Sequence, residues 1–415
     1  MQDRTVEVFK RFVKNGHYEK DPRGLSGKYD NVRRYWEDKL TQYALRSHIA
    51  RLVEETRSKL QRLSVLDLGC GSGEGYELLT NIEKENIGIQ SHQLDMIGLE
   101  AIGRYTGIDI NTDMIDKAKD IYSTTGKFSF KVGDLNEGIP FEKNEPPYDL
   151  YYSSYGSMSH IDDEALKRLL IEIAQHARNG SLFVGDWLGR YSYEWPVYWK
   201  KKDGKKMRDY SMSWLCSEGT ENTNTESFPL RFWSREEIDA LLKEVEDISK
   251  VKFQGLSYTD RAIFVGRHMD TKEYNKHAQP IRNAVNKLHA DNMRTDLTEL
   301  IIDYFPSKGY KAQNKFFEGL QVAWNTLVNF TIERLGKPTR WPLPAKVEKM
   351  DKPLKDQVKT MNRVIKNVGW IKMGDPRANI IEPQLGYALR GLEMSYQQGK
   401  GMAHSLIGIF RIVKK

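Results

Sequence analysis

A chain of 415 residues with 39% hydrophobic and 29% charged residues carries enough apolar material for a large buried core, and its composition excludes a disordered polypeptide. No run of eighteen or more apolar residues occurs, which predicts no transmembrane segment, and the opening MQDRTVEVFKRFVKNG lacks the apolar core of a secretory leader. The formal charge of +7 is uneven: residues 1–270 hold 39 Lys and Arg against 44 Asp and Glu, whereas residues 271–415 hold 25 against 13.

Tyr29–Glu55 comes first, with Tyr35, Trp36, Leu40, Tyr43, Ala44, His48 and Leu52 at helical spacings, and reads as one or two helices in an N-terminal cap of residues 1–60. LSVLDLGCGSGEG follows, a short buried strand at Val65, Leu66 and Leu68 running into a glycine loop. IGRYTGIDI, KFSFKVGD, YDLYYSSYG and GSLFVGDWLG read as further strands, with helices at 112–122 and 162–177 between them. Strands alternating with helices predict an α/β fold with a largely parallel sheet covered on both faces. VKFQGLSYTDRAIFVGRH reads as an antiparallel hairpin, with strands near Val251–Leu256 and Ala262–Gly266, that closes one sheet edge and ends a domain of residues 61–270. Within it, residues 189–233 form an aromatic insertion that includes Tyr191, Tyr193, Trp195, Tyr198, Trp199, Tyr210 and Trp214. Residues 271–415 read as a mainly helical, basic extension ending in a strand-like SLIGIFRIVKK.

Asp67, Gly69, Gly71 and Gly73 are the most informative residues. Glycines let backbone amides approach a ligand at the start of a helix. The loop lacks the GK[ST] ending of a triphosphate site, and Glu74 stands where a dinucleotide loop needs glycine or alanine. A carboxylate from Asp67 suits a cationic amino group and would repel a pyrophosphate. Asp109 ends the second strand, where it can accept both ribose hydroxyls, and Asp113 reads as a helix-terminal charge. Forty-two residues separate Asp67 from Asp109 against a usual gap of about twenty, so NIEKENIGIQSHQLDMIGLEA is an insertion. Asp134 ends the third strand, placed for an adenine amine, with the Leu135 amide facing the ring. The three acids bracket one nucleoside-sized crevice at the strand ends.

Over about residues 28–267 the chain resembles the class I S-adenosylmethionine-dependent methyltransferases, through VLDLGCGSG, Asp109, Asp134 and the fourth-strand region YDLYYSSYGSMSHIDDEALKRLL. The resemblance implies a Rossmann-like, seven-stranded, mostly parallel sheet with an antiparallel edge, and S-adenosylmethionine as cofactor. It implies that Asp67, Gly69, Gly71 and Gly73 contact the methionine part, Asp109 the ribose, and Asp134 the adenine. Ser153, in the fourth-strand region, is a further cofactor candidate. The long insertion and the helical extension depart from the family's core pattern.

Methyl displacement needs alignment and exclusion of water, and a base only for some acceptors. His160, just beyond the fourth strand, is the candidate base, with Tyr155 orienting the acceptor in the same loop and Asp186 facing the crevice from the fifth strand. His404, in a glycine-rich loop, is a further histidine that could reach the site. NEPPYDL precedes the fourth strand, whereas the Asn-Pro-Pro-Tyr loop that grips a base or glutamine amide must follow it. A small-molecule acceptor methylated at oxygen or nitrogen is therefore expected. An RNA or protein methyltransferase that holds a polyanion on the basic extension is the less favoured alternative, and a noncatalytic cofactor-binding protein the third. Two cysteines, Cys70 and Cys216, supply neither a structural disulfide nor a metal site, so no metal and a cytoplasmic location are expected. The extension is also a candidate surface for homo-oligomer formation.

Overall fold

In the computed structural model, residues 22–83, 96–122, 125–200, 206–215, 227–338, 340–371 and 374–414 are described. Residues 84–95 of the expected insertion, Cys216 and parts of the aromatic insertion lie outside these residues. A π-helical turn, Arg33–Glu37, runs directly into α1, Asp38–Arg57. Their buried face is Trp36, Leu40, Leu45, Ile49 and Leu52, so Tyr43, Ala44 and His48 sit at its margin. β1 (Leu63–Leu68), α2 (Glu74–Thr80), β2 (Ile102–Asp109), α3 (Thr112–Tyr122), β3 (Phe128–Val132) and β4 (Leu150–Tyr152) follow. Next come α4 (Asp163–His176), β5 (Leu182–Gly189), β6 (Met207–Ser211), β7 (Ser227–Trp233), α5 (Arg235–Ser249) and β8 (Lys252–Arg261). The chain ends with α6 (Ile281–Leu288), α7 (Lys311–Leu335), α8 (Lys352–Asn367), α9 (Glu382–Tyr396) and β9 (Ser405–Val413).

Local chemistry sets several of these boundaries. Asp162 caps α4 by accepting the Ala165 N–H, and Ser234 with Glu237 forms a reciprocal capping box on α5. α7 stops at Gly336, as its sequence predicts.

β3, β2, β1, β4 and β5 pair in that order, all parallel. β9 then pairs antiparallel with β5, and β8 pairs antiparallel with β9. The result is the expected seven-stranded, mostly parallel sheet with antiparallel pairing on one side. The β6–β7 hairpin joins it through Leu188 and Gly189 of β5, which pair with Phe232 and Trp233. Helices cover both faces: α1–α3 share one core with the strands, and α4 and α5 another.

One expectation is corrected. Ala262–Gly266 is not the second strand of a hairpin. Ala262 turns out of the sheet at φ +60°, and Ile263, Phe264 and Val265 are fully buried in a helical core. The partner of β8 is instead β9, with Arg261 directly opposite Ser405. Residues 262–404 therefore leave and re-enter the sheet at the same strand ends. Their helices form a third core with Trp36, Tyr193, Trp195 and Trp199. Among the described residues, no helix is long and apolar enough to cross a membrane.

Candidate active site

β1 delivers Asp67 to the carboxyl end of the sheet, but the side chain stays beneath the loop. It is wholly buried, accepts the Tyr105 hydroxyl, and is pushed by burial to a pKa of about 7. A Cβ on Gly75 would collide with its carboxylate. Asp67 thus supports the turn from below. Gly69 adopts φ +78°, and a Cβ there would lie 2.7 Å from Ser157 Cβ, so only glycine fits.

Asp109 ties the second strand tip to this loop. Its Oδ2 accepts the Gly71 N–H at 2.8 Å and its Oδ1 accepts the Asn111 N–H at 2.8 Å. Burial raises its pKa, against those two hydrogen bonds. Asp134 accepts from the backbone and side chain of Asn136 at 2.9 and 3.1 Å, with Leu135 beside it.

These groups open on one cavity of about 620 Å³. Gly69, Gly71, Asp109, Asp134 and Leu135 line it, as do Tyr155 and His160. Four expected site residues do not meet it. Besides Asp67, Ser153 is held in the sheet by its N–H bond to Val184 O, and Asp186 is 1% exposed and ion-paired with Arg261 at 2.9 Å. The expected role of Asp186 facing the crevice is corrected accordingly: the buried guanidinium neutralises it inside the sheet. Gly73 lies outside the lining too, where it begins α2 against the Tyr122 ring.

The lining also contains residues whose importance the sequence did not signal. Lys28 and Tyr29 donate to Glu74 Oε1 at 2.8 and 2.6 Å, and the Ser72 N–H donates to Oε2 at 3.0 Å. Burial opposes ionisation of Glu74, but Lys28 and Arg33 hold its carboxyl well below the usual range. Arg33 lies 4.0 Å from the Tyr155 ring, whose hydroxyl donates to Asp38 at 3.0 Å. The N-terminal segment thus walls the glycine-loop end of the cavity. Leu188, Tyr210, Met212, Trp214, Phe228 and Leu230 supply an apolar wall of the same cavity.

Two histidines reach the cavity and differ in chemistry. His160 packs on Phe228 with ring centroids 5.7 Å apart, and burial lowers its pKa to about 4, so it is neutral at pH 7. His404 has its Nδ1 2.7 Å from Oε1 of the fully buried Glu194. Burial opposes ionisation of Glu194, yet His404 and His268 keep its carboxyl below the usual range. An ionised carboxylate only accepts, so Nδ1 carries the proton of this hydrogen bond. The loop before His404 is fixed by Asp260, which accepts the N–H groups of Lys400, Gly401 and Met402 at 2.7–3.0 Å.

A model of the methyltransferase domain matches residues 65–180. No curated protein matches the chain. Among solved structures, the chain is similar to an S-adenosylmethionine-dependent methyltransferase from Mesorhizobium loti, at 16% identity and a TM-score of 0.31, covering 48% of this chain and 76% of that one. It is similar also to a methyltransferase from Methanosarcina mazei, at 18% identity and TM-score 0.32, over 48% of this chain and 84% of that one. A third is an amino pentose methyltransferase from Micromonospora echinaspora, at 12% identity and TM-score 0.33, over 60% of this chain and 91% of that one. Residues 65–180 therefore form a methyltransferase domain of the class I S-adenosylmethionine-dependent kind, with S-adenosylmethionine as its cofactor.

Proposed function

We propose that the protein methylates a small molecule at oxygen or nitrogen. The observation that carries this reading is the single cavity shared by the glycine loop and the aromatic chamber. Its volume of about 620 Å³ lies in the range of small-molecule sites and has to hold both the cofactor and its acceptor. When bound, S-adenosylmethionine supplies a methyl group on a positively charged sulfur.

The chain's own groups divide the remaining work. Asp109 and Asp134 hold the nucleoside, and Lys28, Arg33 and Glu74 hold the charged amino-acid end. Tyr155 and His160 line the same cavity and shape the acceptor's approach. His404 accepts the proton of an acceptor hydroxyl or ammonium at Nε2, with Glu194 fixing the ring and compensating the imidazolium charge. The aromatic walls exclude water. The helical segment 271–415 acts as a cap over the pocket. Several of its cations face carboxylates, as Lys359 does Glu348 and Arg294 does Asp375, a poor arrangement for holding a polyanion.

The test is transfer of labelled methyl from S-adenosylmethionine into a size-fractionated cell extract, after calorimetry has established binding of S-adenosylhomocysteine. Label in the ultrafiltrate is expected. Label confined to RNA or protein would replace this reading with the macromolecular one.

A further inference from the structure

The third core contains two neighbouring arginines whose hydrogen-bonding differs. Arg282 is saturated: it donates to both oxygens of Asp30 at 2.7 and 2.8 Å, to Glu37 Oε1 at 2.7 Å and to Val265 O at 2.9 Å. Arg267 shares the same Glu37, donating from Nη2 to Oε2 at 3.0 Å. Its Nη1 has no hydrogen-bond partner among the described residues, although the side chain is only 7% exposed. Glu37 therefore answers two guanidiniums, with the better geometry on Arg282. A buried cation with an unused donor is costly unless something else completes it.

Arg267 is also a wall of the cavity, with its guanidinium 4.2 Å from the Trp214 ring. Arg33 lines the same cavity, next to Glu74 and Tyr155. Lys28 and Arg33 converge on Glu74 at the glycine loop, where the proposed function places the cofactor's carboxylate. Arg267 instead packs on Trp214, in the aromatic wall where the proposed function places the acceptor.

We propose that Arg267 is the anchor for a carboxylate on the acceptor, which is a flat, singly charged aromatic acid. This rests on the reading of the chamber as the acceptor site. A guanidinium fork matches a planar carboxylate better than any other common anion-binding side chain does. One guanidinium matches one negative charge, and with Lys28 and Arg33 assigned to the cofactor a doubly charged phosphate would be undercompensated. Trp214, Tyr210 and Phe228 supply ring faces for an aromatic body.

The experiment uses the full chain saturated with S-adenosylhomocysteine. Calorimetry compares 4-hydroxybenzoate and 4-hydroxyphenylacetate with the corresponding amides. The acids are expected to bind at least about tenfold more tightly than the amides, a preference lost in Arg267→Gln and partly kept in Arg267→Lys. S-adenosylhomocysteine affinity should stay within about threefold in Arg267→Gln, which also reports that the variant folds, and should fall further in Arg33→Gln. Acids that bind no better than amides, including no binding by either, overturn the proposal. So does an Arg267→Gln variant that loses S-adenosylhomocysteine as Arg33→Gln does, because Arg267 would then belong to the cofactor. Failure of the unsubstituted chain to bind S-adenosylhomocysteine would instead remove the proposed function itself.

Discussion

Asp109 accepts from two backbone N–H groups and still lines the cavity, so the same carboxylate shapes the loop and borders the proposed nucleoside site. Hydrogen bonds to a charged group contribute roughly 1.5–3 kcal/mol each, so Asp109→Ala should weaken S-adenosylhomocysteine binding by about ten- to a hundredfold, with unfolding still cooperative. Unchanged affinity in titration would separate Asp109 from the ribose. The histidines make a second contrast. An imidazole with a pKa of about 4 is a weak base at neutral pH, which describes His160. His404 has a carboxylate behind it and an open nitrogen. On the acceptor recovered by methyl labelling, His404→Ala should lower kcat by about a hundredfold or more while cofactor affinity holds, and His160→Ala should lower it far less. The reverse ranking would return the proton transfer to His160.

At the level of elements, α9 is tied to both ends of the third core by one carboxyl group. Glu393 accepts the Phe264 N–H at 2.7 Å and the Trp36 indole N–H at 2.8 Å, and burial raises its pKa to about 7. The folded protein holds this proton more tightly than the unfolded chain does. Its contribution is therefore complete below the unfolded value near 4.5 and is lost as pH rises through about 7. Glu273, held down at about 2 by burial-opposed contacts with His268, Ser213 and Ser211, changes protonation well below that window. Urea unfolding at pH 5 and 8 should show a stability loss, of which up to about 3 kcal/mol disappears in Glu393→Gln. An identical pH slope in the variant would show that Glu393 does not titrate there. The elements also show what could be read from sequence. The β1 loop and the tips of β2 and β3 were legible because each is a local pattern: apolar strand, turn glycines, terminal acid. The partner of β8 was not, because strand pairing leaves no local mark and residues 262–404 intervene. Ile263, Phe264 and Val265 are apolar enough for a strand, yet they pack against helices. Lys28 and Arg267 carried no local signal, because their burial depends on segments far away in the chain.

For the whole molecule, the consequence is that the chain cannot be divided after residue 270. β9 lies between β5 and β8 and pairs with both along most of its length. The third core draws Val32, Trp36 and Leu40 from the N-terminal segment, Tyr193 and Trp195 from the insertion, and the buried faces of α6–α9. Asp30 and Glu37 hold Arg282 of α6 across the same junction. A chain ending at Asp270 would leave two sheet edges open and expose these large side chains to water, and edges of that kind aggregate. It should therefore show no cooperative urea transition and no binding of S-adenosylhomocysteine, whereas the full chain should unfold in one transition reported alike by circular dichroism and tryptophan fluorescence. The cavity makes the same demand. Arg267 lies just after the chain leaves the sheet and His404 just before it returns, so the segment that completes the fold also supplies two walls of the site. A shortened chain that folded cooperatively and retained cofactor affinity would mean that residues 271–415 form a separable appendage, and the roles given to His404 and the helical cap would have to be abandoned.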